Sequence, residues 1–317
     1  AISQERKEDL AILLLDFEKA YDRVDWSFLR GTMEKLGFPN QWLTTVSALY
    51  NSATSRVLVA GELGQAFSIS RSVRQGCPLA PFLYLMIGEA FSSFLISNVE
   101  NIKGLQWPWL DEQIVDCQFA DDTALYLQGS HNNLCRVQRA IDSFCYASGA
   151  VINWNKSVGF WVSTTVNPLW CPQEGFQWIP HGKPVRYLGC QIGIDLAPED
   201  HIAPLLLAIR KKLLYWNAAK LSLAGRVVVA NQVLLASMWY ILSAWLCSRS
   251  ALSQVQRLIR NFLWGSKDGS YVRAKVSWKV ITATKEEGGL GLIDPLLQCK
   301  AFLGKFIIRG LLPSGEP

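Results

Sequence analysis

Histidine is scarce in this chain: His131, His181 and His201 are the only three, and they stand far apart. None of the eight cysteines sits in a C-x-x-C pair; they are scattered singly. Neither a zinc site nor a disulfide framework is read from such spacing. Isolated thiols fit a reducing compartment, where free cysteine packs as a small apolar side chain. No secretory signal fits the start, because the run Gln4-Glu5-Arg6-Lys7-Glu8-Asp9 is charged. Ala1 stands where a start methionine would, which suggests a piece of a longer reading frame. The expected location is intracellular.

Acidic residues thin out along the chain. Residues 1–199 hold 15 Lys and Arg against 20 Asp and Glu, whereas residues 200–317 hold 16 against 6. An acidic part that can hold cations, joined to a basic part that can grip phosphates, is a hint of a nucleic-acid enzyme, though many basic surfaces bind nothing. Charge is missing altogether from Val227 to Cys247, a run about as long as a membrane span. Asn231, Gln232 and Ser237 interrupt it, and Arg226 and Arg249 bracket it closely. Buried helices, not a membrane, are the expectation.

What the chain has in plenty is apolar side chains, 50% of the total, enough for one large domain or two smaller ones. The continuous apolar run Leu10–Leu15 stops at Asp16 and reads as a central strand buried on both faces. Asp25 reads as a helix N-cap, with Trp26, Leu29, Met33 and Leu36 on one face and Gly37 as the stop. A second helix from Pro39 carries Trp42, Val46 and Leu49. Residues 54–73 alternate around Gly61 and Gly64 as a hairpin. A long apolar helix covers Leu79–Leu95. Ile114–Phe119, Ala120-Asp121-Asp122 and Thr123–Leu127 read as strand, tight turn, strand. Leu134, Val137, Ile141 and Phe144 mark a helix closed by Gly149, and a strand through Val151–Val162 follows. Beyond Pro198 the pattern turns helical and basic. The domain boundary is placed near Gly193.

Asp16 at the end of a buried strand and Asp121-Asp122 in a hairpin turn each push a carboxylate out of an apolar sheet. If the two elements are neighbours, three carboxylates converge. Two such charges about 4 Å apart repel by about 1 kcal/mol in water and about 4 kcal/mol at an effective dielectric near 20. Convergence then calls for protonation or divalent cations. Mg²⁺ is the natural occupant, since it takes hard oxygen ligands and shares its shell with water and phosphates. An Asp-Asp pair in a turn is otherwise ordinary turn chemistry.

The residues also resemble a family. Leu15-Asp16-Phe17-Glu18-Lys19-Ala20-Tyr21-Asp22, Arg74-Gln75-Gly76-Cys77-Pro78-Leu79-Ala80-Pro81 and Phe119-Ala120-Asp121-Asp122 look like motifs A, B and C of non-LTR (LINE-type) retrotransposon reverse transcriptases. Ser148-Gly149 leading to Asn155-Lys156-Ser157 resembles motif D, and Arg186-Tyr187-Leu188-Gly189 resembles motif E. Leu221–Arg226, Phe262–Gly265 and Gly288–Gly291 are similar to the thumb and following region of plant elements of this class.

The resemblance implies an α+β fold: a right-hand polymerase palm with an antiparallel sheet packed by helices, then a mostly helical thumb. It divides the chain into a palm with partial fingers at 1–193, a thumb at 194–265 and a C-terminal extension at 266–317. The implied activity is RNA-directed DNA polymerisation on an RNA template with a DNA primer or target DNA and dNTPs, using two Mg²⁺ ions for which Mn²⁺ substitutes. Asp16, Asp121, Asp122 and the Phe17 carbonyl match the metal ligands, and Lys156 the general acid. Tyr21 matches the steric gate that excludes a ribose 2′-hydroxyl. Arg74, Gln75 and Gly76 match residues beside the nucleotide, phosphate or template. Arg210, Lys211, Lys212, Lys220 and Arg226 suit a thumb that tracks a duplex. Fingers motifs and an endonuclease are not found ahead of Asp16, so a non-catalytic nucleic-acid-binding remnant is the rival reading. The work of such elements at chromosomal DNA implies a nuclear location during integration.

Overall fold

The computed structural model describes residues 9–97, 102–106, 112–162, 170–217, 220–244, 247–265 and 273–311. The chain divides into two compact units, Ala1–Pro180 and His181–Pro317.

The first unit is built on a five-stranded sheet. Its strands are β1 (Leu10–Leu15), β2 (Asp116–Phe119), β3 (Asp122–Gln128), β4 (Val158–Val162) and β5 (Gln177–Ile179), in the order β5-β4-β1-β3-β2. As the unbroken apolar run requires, β1 lies at the centre. Its pairings with β3 and β4 are antiparallel, as is β2 with β3. The edge strand β5 runs parallel to β4, so the expected all-antiparallel sheet is mixed.

Side chains along β1 alternate between faces. Ala11, Leu13 and Leu15 face the core, opposite Leu127, Leu125 and Thr123 of β3. Four helices close the unit: α1 (Trp26–Lys35), α2 (Asn40–Tyr50), α3 (Ala80–Ser97) and α4 (His131–Ser148). Leu29, Met33, Leu83, Phe91, Leu134 and Phe144 join that core. Phe91 and Phe144 meet at 4.8 Å, and Phe28 sets its ring edge-on to Phe144. Each such fully buried side chain contributes about 1.5–3 kcal/mol.

Local signals for these helices hold. Asp25 caps α1 by accepting from the amides of Ser27 and Phe28, and Gly149 closes α4 at φ 75°. The buried face of α2 differs from expectation. Leu43 and Val46 point inward, while Trp42 and Leu49 are exposed. Thr54–Ser55 pairs with Phe67–Ser68 and Leu58–Val59 with Glu62–Leu63, a nested hairpin. The strand expected over Val151–Val162 is broken: Ile152 makes an isolated bridge to Phe17, a turn spans 154–156, and β4 starts at Val158.

The second unit opens with a hairpin pairing Val185–Tyr187 with Cys190–Ile192. Leu188 and Gly189 both have positive φ in its tight turn. The division falls ahead of Gly193, so this hairpin groups with the helices. These are α5 (Pro198–Asn217), α6 (Leu223–Val229), a π-helical turn Ala230–Leu235, α7 (Ala236–Ala244), α8 (Arg249–Trp264), α9 (Trp278–Thr282) and α10 (Pro295–Leu311).

Val227, Ala230, Leu234, Leu235, Met238 and Leu242, from the charge-free run, enter the core of this unit. Leu223–Ser243 and Ala80–Ser97 are long and apolar enough to cross a membrane by length and composition, and both bury residues in their own units. Ile281, Leu292 and Cys299 share the core with Ile209 and Ile259. Side chains from the described segment 273–311 therefore pack into the core of the helical unit. The π-helical turn carries Asn231, whose amide donates to the Gly291 carbonyl and accepts from the Ile293 amide.

Candidate active site

The register of β1 and β3 decides where the carboxylates go. Leu14 pairs with Ala124 and Leu15 with Thr123. One step further along the same ladder Asp16 would fall opposite Asp122, with Asp122 exposed and Asp16 partly exposed. Phe119 pairs with Asp122, so Ala120 and Asp121 form the two-residue turn between β2 and β3. Ala120 holds φ at 55°, a conformation that L residues adopt at a cost. Beneath the turn, Ser92 of α3 and Gln118 donate to the two carboxylate oxygens of Asp116 at 2.9 and 2.8 Å, which ties β2 to α3.

Electrostatics agree with the register. The Asp122 carboxyl is pushed above the ordinary aspartate value by partial burial and then by the charges of Asp121 and Asp16. The Tyr21 hydroxyl is raised by burial and by Asp121, and that of Tyr84 by burial, Asp121 and Tyr21. The charges of Asp16 and Asp121 thus both reach Asp122, and that of Asp121 also reaches Tyr21. The rings of Tyr21 and Tyr84 stack at 4.7 Å with 12° between planes. They border a cleft of about 520 Å³ that also meets Gly88, Gln118 and Ala120.

Phe17 follows on the strand path. Hydrogen bonds run from the Asn153 amide to the Asp16 carbonyl and from the Glu18 amide to the Val151 carbonyl, both 2.8 Å. They bracket the Phe17–Ile152 bridge, so the peptide groups of Phe17 itself point to the opposite side, toward β3.

Arg74, Gln75 and Gly76 are exposed. They follow Val73, whose amide donates to the Tyr21 carbonyl. Arg74 and Gln75 line a neighbouring cleft of about 650 Å³ with Asp22, Arg56 and Ser72. Gly76 holds φ at 81°, where a side chain is strained although nothing lies within 4 Å of its Cβ position. Lys156 is exposed in the 154–156 turn, and its charge, behind those of Arg23 and Lys19, helps to lower the carboxyl of Glu18.

Two expected basic contacts are engaged inside the second unit. Lys212 donates to the Val233 carbonyl at 3.1 Å. Arg226 donates to the carbonyls of Leu221 and Phe262, and its guanidinium lies 5.5 Å from the Phe262 ring centre. Both are satisfied by protein, whereas Arg210, Lys211 and Lys220 are exposed. All eight cysteines are free thiols.

Among the described residues no three His, Cys, Asp or Glu side chains form a ready-made metal cage. Mg²⁺ seldom uses one; it takes one or two carboxylates and completes its shell with water and substrate phosphates. The donor set here, the hard carboxylate oxygens of exposed Asp121 and Asp122 and partly exposed Asp16, fits that ion.

Sequence comparison shows the family. Residues 1–192 match the model of the reverse transcriptase (RNA-dependent DNA polymerase) family, and the chain belongs to that family. It is 32% identical over 312 residues to the uncharacterized 149 kDa protein of transposon TX1 from Xenopus laevis, covering 97% of this chain and 23% of that protein. It is 23% identical over 309 residues to the retrovirus-related Pol polyprotein of type-1 retrotransposable element R2 from Popillia japonica, covering 92% of this chain and 40% of that one. The chain thus spans less than half the length of these relatives. A structure of telomerase from Candida tropicalis with a fragment of telomeric RNA aligns at TM-score 0.46 and 12% identity, over 84% of this chain and 46% of that one.

Proposed function

We propose that this chain is the polymerase core of a non-LTR retrotransposon reverse transcriptase, which extends a primer 3′-hydroxyl with dNTPs on an RNA template. The observation that carries the reading is the β1–β3 ladder, whose last pair Leu15–Thr123 leaves Asp16 and Asp122 as the next residues on the two strands, with Asp121 in the adjoining turn. Asp16, Asp121 and Asp122, with the Phe17 carbonyl, would hold two Mg²⁺ ions, or Mn²⁺ in their place. Bound there, such ions activate the attacking hydroxyl and neutralise the departing pyrophosphate.

The remaining residues bind and orient. Tyr21, backed by Tyr84, closes the space that a ribose 2′-hydroxyl needs. Gln75 and Gly76 line the incoming nucleotide, and the positive φ of Gly76 lets backbone approach it closely. Arg74 pairs with phosphate or template. Lys156 donates a proton to the leaving pyrophosphate. Exposed Arg210, Lys211 and Lys220 contact duplex phosphates, which is sequence-independent and weakened by salt. The work is done inside the cell, in the nucleus during integration, with target DNA supplying the primer and no membrane involved.

Primer extension on poly(rA)·oligo(dT) with Mg²⁺ tests the reading, run beside Asp121→Asn. Extension by the wild type that falls about 10²-fold or more in the variant supports it, since metal-borne charge stabilisation is worth several kcal/mol. Hybrid binding without extension would leave the non-catalytic remnant.

A further inference from the structure

Ser157 stands where the β1–β4 ladder is interrupted. Leu14 pairs with Val158, and a regular ladder would continue from there past Asp16. Instead the chain turns out at 154–156, and Asp16 loses the strand partner that its amide would otherwise have. The Ser157 hydroxyl takes that place. It accepts from the Asp16 amide at 3.0 Å and donates to the Asn153 carbonyl at 2.9 Å. The Ser157 amide donates to the same carbonyl at 2.9 Å, and the Asn153 amide donates to the Asp16 carbonyl at 2.8 Å. Both peptide groups of Asp16 are thereby held by one turn. Ser157 is 0% exposed, so water cannot replace its hydroxyl.

The carboxylate of Asp16 can stay opposite Asp122 only if its backbone neither slides nor rotates. Its amide and carbonyl are fixed by Ser157 and Asn153, not by the regular ladder that fixes Leu10–Leu14. We propose that Ser157 is a positioning residue, whose hydroxyl sets the Asp16 carboxylate for divalent-cation binding. The inference rests on the metal-binding role of Asp16 proposed above. It assigns the 153–157 turn a task distinct from that of Lys156, which lies exposed in the same turn.

Mn²⁺ binding to the full chain, read from the electron paramagnetic resonance of the free ion, tests it without any need for turnover. Ser157→Ala is expected to weaken Mn²⁺ binding about tenfold or more, as loss of a group that orients a metal ligand does elsewhere. Ser157→Thr, which keeps the hydroxyl, should restore binding to within about threefold of wild type. Asp16→Asn gives the reference for a lost site. Ser157→Cys, similar in shape but a poor acceptor, keeps the test in hand if the alanine variant fails to fold, and should also bind weakly. Wild-type affinity in Ser157→Ala or Ser157→Cys, with only a lowered melting temperature, would make the residue purely structural and overturn the proposal. A wild type that binds Mn²⁺ no better than Asp16→Asn would overturn the metal role of Asp16 and this inference together.

Discussion

The amide of Val73 donates to the carbonyl of Tyr21 at 2.8 Å, so the segment leading to Arg74, Gln75 and Gly76 is stitched directly to the proposed gate. The ring of Tyr21 is fixed from the other side by its stack on Tyr84. Tyr21→Val should therefore open the pocket without moving its backbone. The expected result is a fall of roughly 10²-fold in the preference for dNTP over rNTP, the scale on which sites discriminate a single hydroxyl. Single-nucleotide incorporation with matched dNTP and rNTP measures the ratio. An unchanged ratio would remove Tyr21 from the gate.

Gly76 offers a test of backbone strain free of steric complication. Its Cβ position is open, yet φ is 81°. Gly76→Ala is expected to destabilise by about 1–2 kcal/mol through conformation alone. Urea denaturation should show a lower midpoint at constant slope. Stability equal to wild type would mean that the turn relaxes at no cost.

Asp122 gives a pH prediction with a definite sign. Its carboxyl is raised above the ordinary value of 3.8 by partial burial and by Asp121 and Asp16. A raised value means that the folded chain holds this proton more tightly than the unfolded chain does. Ionisation therefore opposes folding above the ordinary value, and the penalty disappears below it. Without divalent metal, Asp122→Asn should melt higher than wild type at pH 7, and the gain should fade as the pH drops toward about 4. Mg²⁺ should stabilise the wild type more than the variant. A gain that persists unchanged at low pH would contradict the coupling.

Lys211 and Lys212 are neighbours in sequence with opposite expectations. Lys211 is exposed, whereas Lys212 reaches the Val233 carbonyl inside its unit. Lys211→Ala should reduce the salt slope of hybrid-duplex binding by about 1, and Lys212→Ala should leave the slope alone while lowering thermal stability. Binding titrations between low and moderate salt separate the two. Equal slopes for both variants would count against the duplex-tracking role.

Features written in neighbouring residues were legible before any coordinates. The run Leu10–Leu15, the cap at Asp25 and the Gly149 stop appear where the sequence places them, while the turn read over Ala120-Asp121-Asp122 spans Ala120 and Asp121 and Asp122 already belongs to β3. Each depends on a local rule: unbroken apolar character, a side-chain acceptor before a helix, or a left-handed stop.

Features set by distant partners were not legible. The inward face of α2 is chosen by what packs against Leu43 and Val46, and apolar Trp42 and Leu49 satisfy the same period. Arg226 reads as a free cation until Phe262 is brought beside it. The break before β4 is marked in sequence by Asn153 and Asn155, residues that favour turns. That signal was present but overshadowed by the apolar run through Val162. Ser157 is marked in sequence only as the last residue of the motif D resemblance, since one serine beside a strand is commonplace.

The ladder between β1 and β3 also constrains how this chain can vary over time. Side chains alternate at every residue, so deleting one residue inside either strand would shift an aspartate by about 3.3 Å and turn it to the opposite face. A change of length in the hairpin at 54–69 would leave that register intact, because the hairpin lies outside the five-stranded sheet. Within Leu10–Leu15 and Asp122–Gln128 one apolar residue exchanged for another would keep the aspartates in place, whereas a change in the count would not.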